Sequence, residues 1–224
     1  MAIFDLQSLI DDLVPDTSGR ITPAKVDRAL ASAVVRYGKD RPRVLVEDVV
    51  CAGGNDVPLP TGWVSGASRL LELETPIGQM PPVLISQEDW LVLPVPAGDG
   101  IRVRDSLAAG TGVRVRFYAP HVLSDAVDTI PALDREAVAH WAGALLADQL
   151  AAAYAANSEA TIQADRVDQT SPSRTWRKQA DVYRQRYFDL LGIDPKLTEP
   201  AGEVVNLDQA DSRGRPRLTH WRNR

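Results

Sequence analysis

The segment Val113-Arg-Val-Arg-Phe-Tyr118 alternates apolar and polar side chains, and this alternation decides how the middle of the chain is interpreted. Successive side chains of an extended strand point to opposite faces, so two faces of different character are expected. The apolar face would carry Val113, Val115 and Phe117, and the polar face Arg114 and Arg116. The pattern therefore predicts an antiparallel strand with one buried face and one wet face.

The surrounding region, residues 43–123, also has a sequence pattern typical of β-strands. Short β-rich runs are separated by glycine and proline, and no helical period is present. The predicted strands are Val44–Val50, Leu70–Glu74, Val83–Ile85, Trp90–Leu93, Ile101–Arg104 and Val113–Tyr118. Two prolines and two glycines between Pro94 and Gly100 predict an exposed hairpin tip, and the glycines of Ala52–Asn55 and Ala109–Gly112 predict turns. The expected product is a small antiparallel β-sandwich or barrel.

Helical patterns lie on both sides of this region. Residues 3–14 predict a short amphipathic helix, and a second helix is capped by Thr22, begins at Pro23 and is expected to end at Gly38. A third, alanine-rich helix is predicted from Asp134 to Ala156, and a fourth from Pro172 to a stop at Gly192.

This order of elements predicts an α+β protein in which an antiparallel helical bundle carries an inserted β-domain. We expect residues 1–42 to supply the first bundle helices and residues 43–123 the inserted domain. Residues 124–192 would supply the remaining helices, and residues 193–224 an extended basic arm.

Charge is divided unevenly along the chain. The sequence contains 25 basic and 30 acidic residues, yet its last twelve residues hold five arginines and no carboxylate. Such a segment lacks the apolar content to fold alone and is typical of an arm that binds a partner. The candidate docking residues are Arg213, Arg215, Arg217, Leu218, His220, Trp221, Arg222 and Arg224. The alternative is a solvated, frayed terminus.

The composition predicts a protein of the cytoplasm without a membrane span. A single cysteine, Cys51, leaves no internal disulfide to form, and no apolar run approaches the roughly 20 residues that a spanning helix needs. The start of the chain also lacks the basic region of a signal peptide.

No motif in the sequence predicts an enzyme, a cofactor site or a metal site. The three histidines are scattered, and none has a second ligand at metal-binding spacing. Cys51 lies in an apolar run without a base, which favours a packing role over a nucleophilic one. The glycine-rich segments lack the lysine and helix of a phosphate-binding loop.

The fourth helix has a basic face formed by Arg174, Arg177, Lys178 and Arg184. Because the rest of the chain is acidic, we interpret this face as a subunit interface that meets an acidic neighbour. A solvated helix face and a phosphate-binding surface are the alternatives.

Several short sequence segments, in this order, resemble segments of the head–tail connector proteins of tailed bacteriophages. They are Leu30-Ala-Ser-Ala-Val-Val-Arg-Tyr37 with Lys39-Asp-Arg-Pro42, Leu59-Pro-Thr-Gly-Trp63 with Ser68-Arg-Leu70, Val113–Tyr118 leading into Ala119-Pro-His121, Asp134-Arg-Glu-Ala-Val138, and Arg186-Tyr-Phe-Asp-Leu-Leu-Gly192. The resemblance spans roughly residues 20–193. The large β-region departs from the connectors that are almost wholly helical.

The resemblance implies a structural protein of the virion neck, made in the host cytoplasm. Such adaptors form a ring, commonly of twelve copies, whose C-terminal arms dock on the portal protein while the far side meets the tail or a second connector. Genomic DNA would pass through the ring without sequence-specific binding, helped by acidic repulsion. Two alternatives stay open: a tail-completion or tail-terminator protein, and a DNA-binding module that uses the basic helix 173–186 and the basic tail.

Overall fold

The computed structural model describes residues 2–16, 18–96, 98–156 and 172–195. Over these residues the protein is α+β, with four α-helices and two small antiparallel sheets. The helices are α1 (Ala2–Leu13), α2 (Pro23–Asp40), α3 (Arg135–Ala156) and α4 (Pro172–Leu191). The strands are β1 (Arg43–Val50), β2 (Gly54–Val57), β3 (Arg69–Glu74), β4 (Trp90–Val95), β5 (Gly98–Leu107) and β6 (Gly112–Ala119).

Helix α3 is the common packing partner of the other helices. It contacts α4, α2 and α1, and it is buried on most of its circumference. Its buried residues are mainly small: Ala137, Ala139, Ala142, Gly143, Ala144, Ala147 and Ala151, together with Val138, His140, Leu146 and Leu150. Small side chains let neighbouring helices approach closely, which explains why an alanine-rich helix occupies this central position.

Helix α2 begins as predicted but ends later. Thr22 occupies the N-cap position, although its side chain makes no capping hydrogen bond, and Pro23 is the first helical residue. The prediction that Gly38 ends this helix is wrong, because the helix continues to Asp40. An ion pair between Arg36 Nε and Asp40 Oδ2, 2.7 Å apart, stabilises the extra turn.

The strands form two three-stranded sheets, with the orders β1-β6-β3 and β2-β5-β4. In the first sheet, β6 is central and pairs antiparallel with both neighbours. The inward side chains of both sheets belong to one hydrophobic cluster that includes Cys51, Val57, Leu70, Leu73, Ile101, Val103, Val113, Val115 and Phe117. The alternation predicted for β6 is confirmed, since its apolar positions are buried in this cluster.

Two details of the β-region differ from the predictions. Ala52–Asn55 was expected to be a turn, but Gly54–Val57 forms a short strand, β2, which pairs with β5. Val83–Ile85 is not a strand; it makes a single bridge, Leu84 to Glu74. The expected hairpin tip is present, because β4 and β5 pair as far as Val95 and Gly98.

All four helices and both sheets belong to one compact unit, Met1–Gly192. Among the described helices, none has the length and apolar character needed to cross a membrane.

Candidate assembly surfaces

The outer face of α4 carries a cluster of exposed cations. Arg174, Arg177 and Lys178 are exposed, and none of them forms an ion pair with the described part of the chain. Between Pro172 and Ala180 there is no carboxylate to offset them. We call these three residues the α4 basic cluster.

Arg184, the fourth cation predicted for this interface, is used inside the protomer. Its guanidinium pairs with Asp148 on α3 and, at 2.9 Å, with Asp181 on α4. An arginine held by two carboxylates contributes little net charge to the surface. The structure therefore separates Arg184 from the other three cations.

The orientation of α4 follows from its apolar stripe. Ala180, Tyr183, Tyr187 and Leu191 are buried at four- and three-residue spacing and pack towards α3. The hydroxyl of Tyr183 donates a hydrogen bond to the carbonyl of Leu13 at the end of α1. With this stripe buried, the α4 basic cluster faces away from α3.

Helix α1 has the opposite charge. Asp5, Asp11 and Asp12 are exposed, the helix contains no basic residue, and none of these carboxylates forms an ion pair within the described ranges. One protomer thus displays an acidic helix surface and a basic helix surface.

The two arginines of the central strand β6 are neutralised by carboxylates on its neighbours. Arg114 on β6 pairs with Asp48 on β1 at 2.8 Å and with Glu74 on β3 at 3.4 Å. Arg116 pairs with Glu72 at 3.1 Å. Opposite charges on adjacent strands stabilise the pairing, and they leave this face without a positive field for phosphate.

The loop that follows Leu59 is fastened to both sheets by two carboxylates. Glu47 on β1 accepts hydrogen bonds from the backbone N–H groups of Thr61, at 2.7 Å, and Gly62, at 2.9 Å. Asp99 on β5 accepts from Nε1 of Trp63 at 3.0 Å and from the N–H of Gly66 at 3.2 Å. The hydrogen bond from Trp63, followed by that from Gly66, lowers the pKa of Asp99. Neither anchor was predicted from the sequence, although Glu47 is a charged residue at an inward position of β1.

Within the described residues, His121, His140 and Cys51 occupy structural positions. His140 is buried in α3, its Nε2 lies 3.6 Å from Glu136, and its Nδ1 has no partner within the described residues. The His121 ring packs at a tilt against Tyr37, and its Nε2 lies 2.9 Å from the carbonyl oxygen of Arg41, within hydrogen-bond distance. Cys51 is buried in the core of the sheets, and this burial raises the pKa of its thiol.

In the ranges that the structure describes, no three His, Cys, Asp or Glu side chains converge to hold a metal ion. The predicted docking residues of the arm, Arg213 to Arg224, lie outside the described residues.

No model of a known protein family matches this chain, and a search of curated proteins finds no match either.

Proposed function

We propose that this protein is a structural head-to-tail adaptor of a tailed bacteriophage. Copies would form a ring in the virion neck, the basic C-terminal arms would dock on the portal protein, and the far side would meet the tail or a second connector. In this proposal the four helices form an antiparallel bundle and the two sheets form a small sandwich inserted into it. The protein has no catalytic role and needs no cofactor.

The observation that carries the proposal is that α4 presents a basic surface and α1 an acidic one. The α4 basic cluster is exposed and unpaired within the described residues, and so are Asp5, Asp11 and Asp12 on α1. Complementary surfaces at different places on one protomer favour a heterologous contact, in which one face of a copy meets a different face of the next. A contact of this type gives a ring when its rotation closes.

The net negative charge of the protein supports a role in which DNA passes through the ring without being bound. The sequence has five more acidic than basic residues, and Arg114 and Arg116 of β6 are neutralised by carboxylates on neighbouring strands. A channel wall with an acidic excess repels phosphates, so the genome could slide through the ring.

The test is co-sedimentation with the portal protein encoded by the same genome. We would compare the full chain with a variant that ends at Ser212 and so lacks the five terminal arginines. Binding of the full chain alone supports the adaptor and assigns docking to the arm. If neither protein sediments with the portal, the adaptor proposal fails; the tail-terminator alternative then predicts binding to the tail tube.

The α4 basic cluster also favours a second candidate, a DNA-binding module. Cations that neutralise phosphates release counterions, so this candidate predicts duplex binding that is strong at low salt and falls steeply as salt is added. A variant with Arg174→Gln, Arg177→Gln and Lys178→Gln should then lose DNA binding. Absence of a mobility shift for the unaltered protein at low salt removes this candidate.

A further inference from the structure

The outer edges of the two sheets are protected to different degrees. The edge of β3 is covered by residues 83–85, through hydrogen bonds from Thr75 N to Val83 O at 3.0 Å and from Ile85 N to Leu73 O at 2.8 Å. Strand β4 contains Pro94, and β2 has four residues and an irregular register. Coverage, proline, short length and bulges are the usual ways in which proteins prevent an edge strand from pairing with another chain.

Strand β1 has none of these protections. It is eight residues long, contains no proline, glycine or lysine, and pairs with β6 in an unbroken register. Within the described residues, no backbone group hydrogen-bonds to the edge of β1 that faces away from β6.

The hydrogen bond just beyond β1 shows which backbone groups face this open edge. Cys51 N donates to Thr111 O at 2.9 Å, so the backbone of Cys51 points towards the β6 side. Orientation alternates along an antiparallel strand, so the N–H and C=O groups of Val44, Val46, Asp48 and Val50 point outward. All four residues also expose their side chains, and the exposed fraction is 42% for Val44, 54% for Val46 and 67% for Val50.

The first five residues of β1, Arg43-Val-Leu-Val-Glu47, are complementary to themselves in an antiparallel arrangement. With Leu45 opposite Leu45 of a second copy, Arg43 faces Glu47 and Val44 faces Val46, each pair occurring twice. Opposite charges and β-branched side chains directly across two strands stabilise their pairing.

Other registers are worse. A shift of the centre to Glu47 puts two carboxylates opposite each other, which destabilises the pair. A centre at Val46 puts Leu45 opposite Glu47, so neither Arg43 nor Glu47 faces a residue of opposite charge. A centre between two residues would place outward-facing backbone groups opposite groups already bonded to β6.

The surroundings of the strand leave room for a partner. A shallow groove of about 480 Å³ runs beside the inward side chains of β1 and is bordered by Thr61, Gly62, Val64 and Val122. Arg43 has no ion-pair partner among the described residues. The Glu47 carboxylate accepts two backbone hydrogen bonds but has about four acceptor sites, so it can still accept an arginine.

We propose that two copies of this chain pair through β1, antiparallel and centred on Leu45, to form a two-fold dimer with a continuous six-stranded sheet. The Val44 and Val46 backbones would make the new hydrogen bonds, and the two Arg43–Glu47 pairs would fix the register. The contact is isologous and closed, unlike the heterologous contact of the proposed ring. The dimer covers the open edge of β1 and leaves the α1 and α4 surfaces of the proposed ring uncovered by β1 itself.

Cysteine cross-linking tests the pairing and its register. In a Cys51→Ala background, Leu45→Cys places two thiols at a non-hydrogen-bonded pair, where Cα atoms are about 4.5 Å apart and within disulfide range. Mild oxidation should convert this variant to a covalent dimer. Val49→Cys is the matched control, since it lies on the same face of the same strand but opposite Arg41 of the second copy, and it should form no covalent dimer. Equal cross-linking of both variants, or of neither, overturns the proposal, provided thermal unfolding shows that both fold.

Sedimentation of the Val46→Lys variant beside the unaltered protein gives a second test. Val46→Lys places a charge on an exposed side chain at the centre of the proposed contact, so its folding should be unaffected while the mass shifts from dimer to monomer. An unaltered protein that stays monomeric at the highest soluble concentration overturns the dimer. Portal binding is measured separately, so an unaltered protein that binds the portal but forms no dimer sinks this inference alone.

Discussion

The hydroxyl of Tyr187 on α4 donates a 2.6 Å hydrogen bond to Oδ2 of Asp40 on α2. The same oxygen accepts from Arg36 Nε at 2.7 Å, and the Tyr187 ring lies 4.8 Å from that of Trp141 on α3. Burial and the neighbouring Asp40 carboxylate raise the pKa of the Tyr187 hydroxyl, so it remains a protonated donor. This contact joins helices that lie on either side of the β-region in the sequence, and it stabilises their arrangement.

Removal of this hydroxyl should weaken the protein without opening a large cavity. We expect Tyr187→Phe to lower the free energy of unfolding by about 1–3 kcal/mol, because a buried hydrogen bond to a charged group is lost. Tyr118→Phe is the matched control, since its hydroxyl makes no hydrogen bond within the described residues. Urea denaturation of both variants measures the difference. Equal stabilities for the two variants would show that the Tyr187–Asp40 bond adds nothing.

Two glycine substitutions should change stability in opposite directions. Gly38 lies within α2, and an added Cβ would be 3.8 Å from the His121 ring, an ordinary contact distance. Gly38→Ala should therefore stabilise the protein by about 0.5–1 kcal/mol, because alanine restricts the unfolded chain. At Gly62 the added Cβ would be 2.7 Å from Glu47 Oε1 and 3.0 Å from Leu45 Cδ1, so Gly62→Ala should cost about 1–3 kcal/mol.

Thermal unfolding of both variants, measured side by side, checks this pair. Gly62→Ala should also loosen the loop that Glu47 holds, which amide hydrogen exchange at Thr61 would report. Stabilisation by both substitutions would show that the loop moves aside at no cost.

The buried histidine predicts a loss of stability at mildly acidic pH. Burial lowers the pKa of His140, and Arg186 acts in the same direction, although Glu136 opposes both. The unfolded chain binds a proton below about pH 6.5, where the folded protein keeps His140 neutral. Stability is therefore present above that pH and falls as the pH drops below it, by at most about 1.4 kcal/mol per pH unit.

Comparison with His140→Leu isolates this contribution. The variant should lose less stability than the unaltered protein between pH 7 and pH 5.5, as measured by urea denaturation at each pH. Parallel pH profiles for the two proteins would exclude His140 as the source.

Much of the fold could be predicted from the sequence because its signals are local. The alternation of β6 predicts a strand from six consecutive residues, and the alanine-rich pattern of α3 predicts a helix that neighbours approach closely. Strand β2 was missed because Gly54, Asn55 and Asp56 are poor strand formers and only Val57 is buried in the core.

Which side chains distant in sequence form ion pairs and hydrogen bonds with each other could not be predicted in the same way. Arg184 belongs to a basic helix face by spacing, yet it pairs with Asp148 because α3 and α4 pack together. The anchoring of the loop at Trp63 by Asp99 also depends on how the chain folds back, and no local pattern indicates it. Pairing of this kind is decided by tertiary packing.

The separation of Arg184 from the α4 basic cluster leads to a charge-reversal experiment. In the proposed ring, Arg177→Glu with Lys178→Glu should abolish assembly, because a now acidic α4 would face the acidic α1 of the next copy. Asp11→Lys with Asp12→Lys should abolish it in the same way. In a mixture of the two variants, alternating copies join opposite charges at both contacts, the unaltered α4 with the unaltered α1 and the acidic α4 with the basic α1, so the mixture should recover assembly. Arg184→Ala is the control: it removes partly exposed ion pairs, so we expect a loss of up to about 1 kcal/mol in stability and unaltered assembly. Sedimentation on the portal measures all four samples, and assembly that is insensitive to both double reversals would place the ring contact elsewhere.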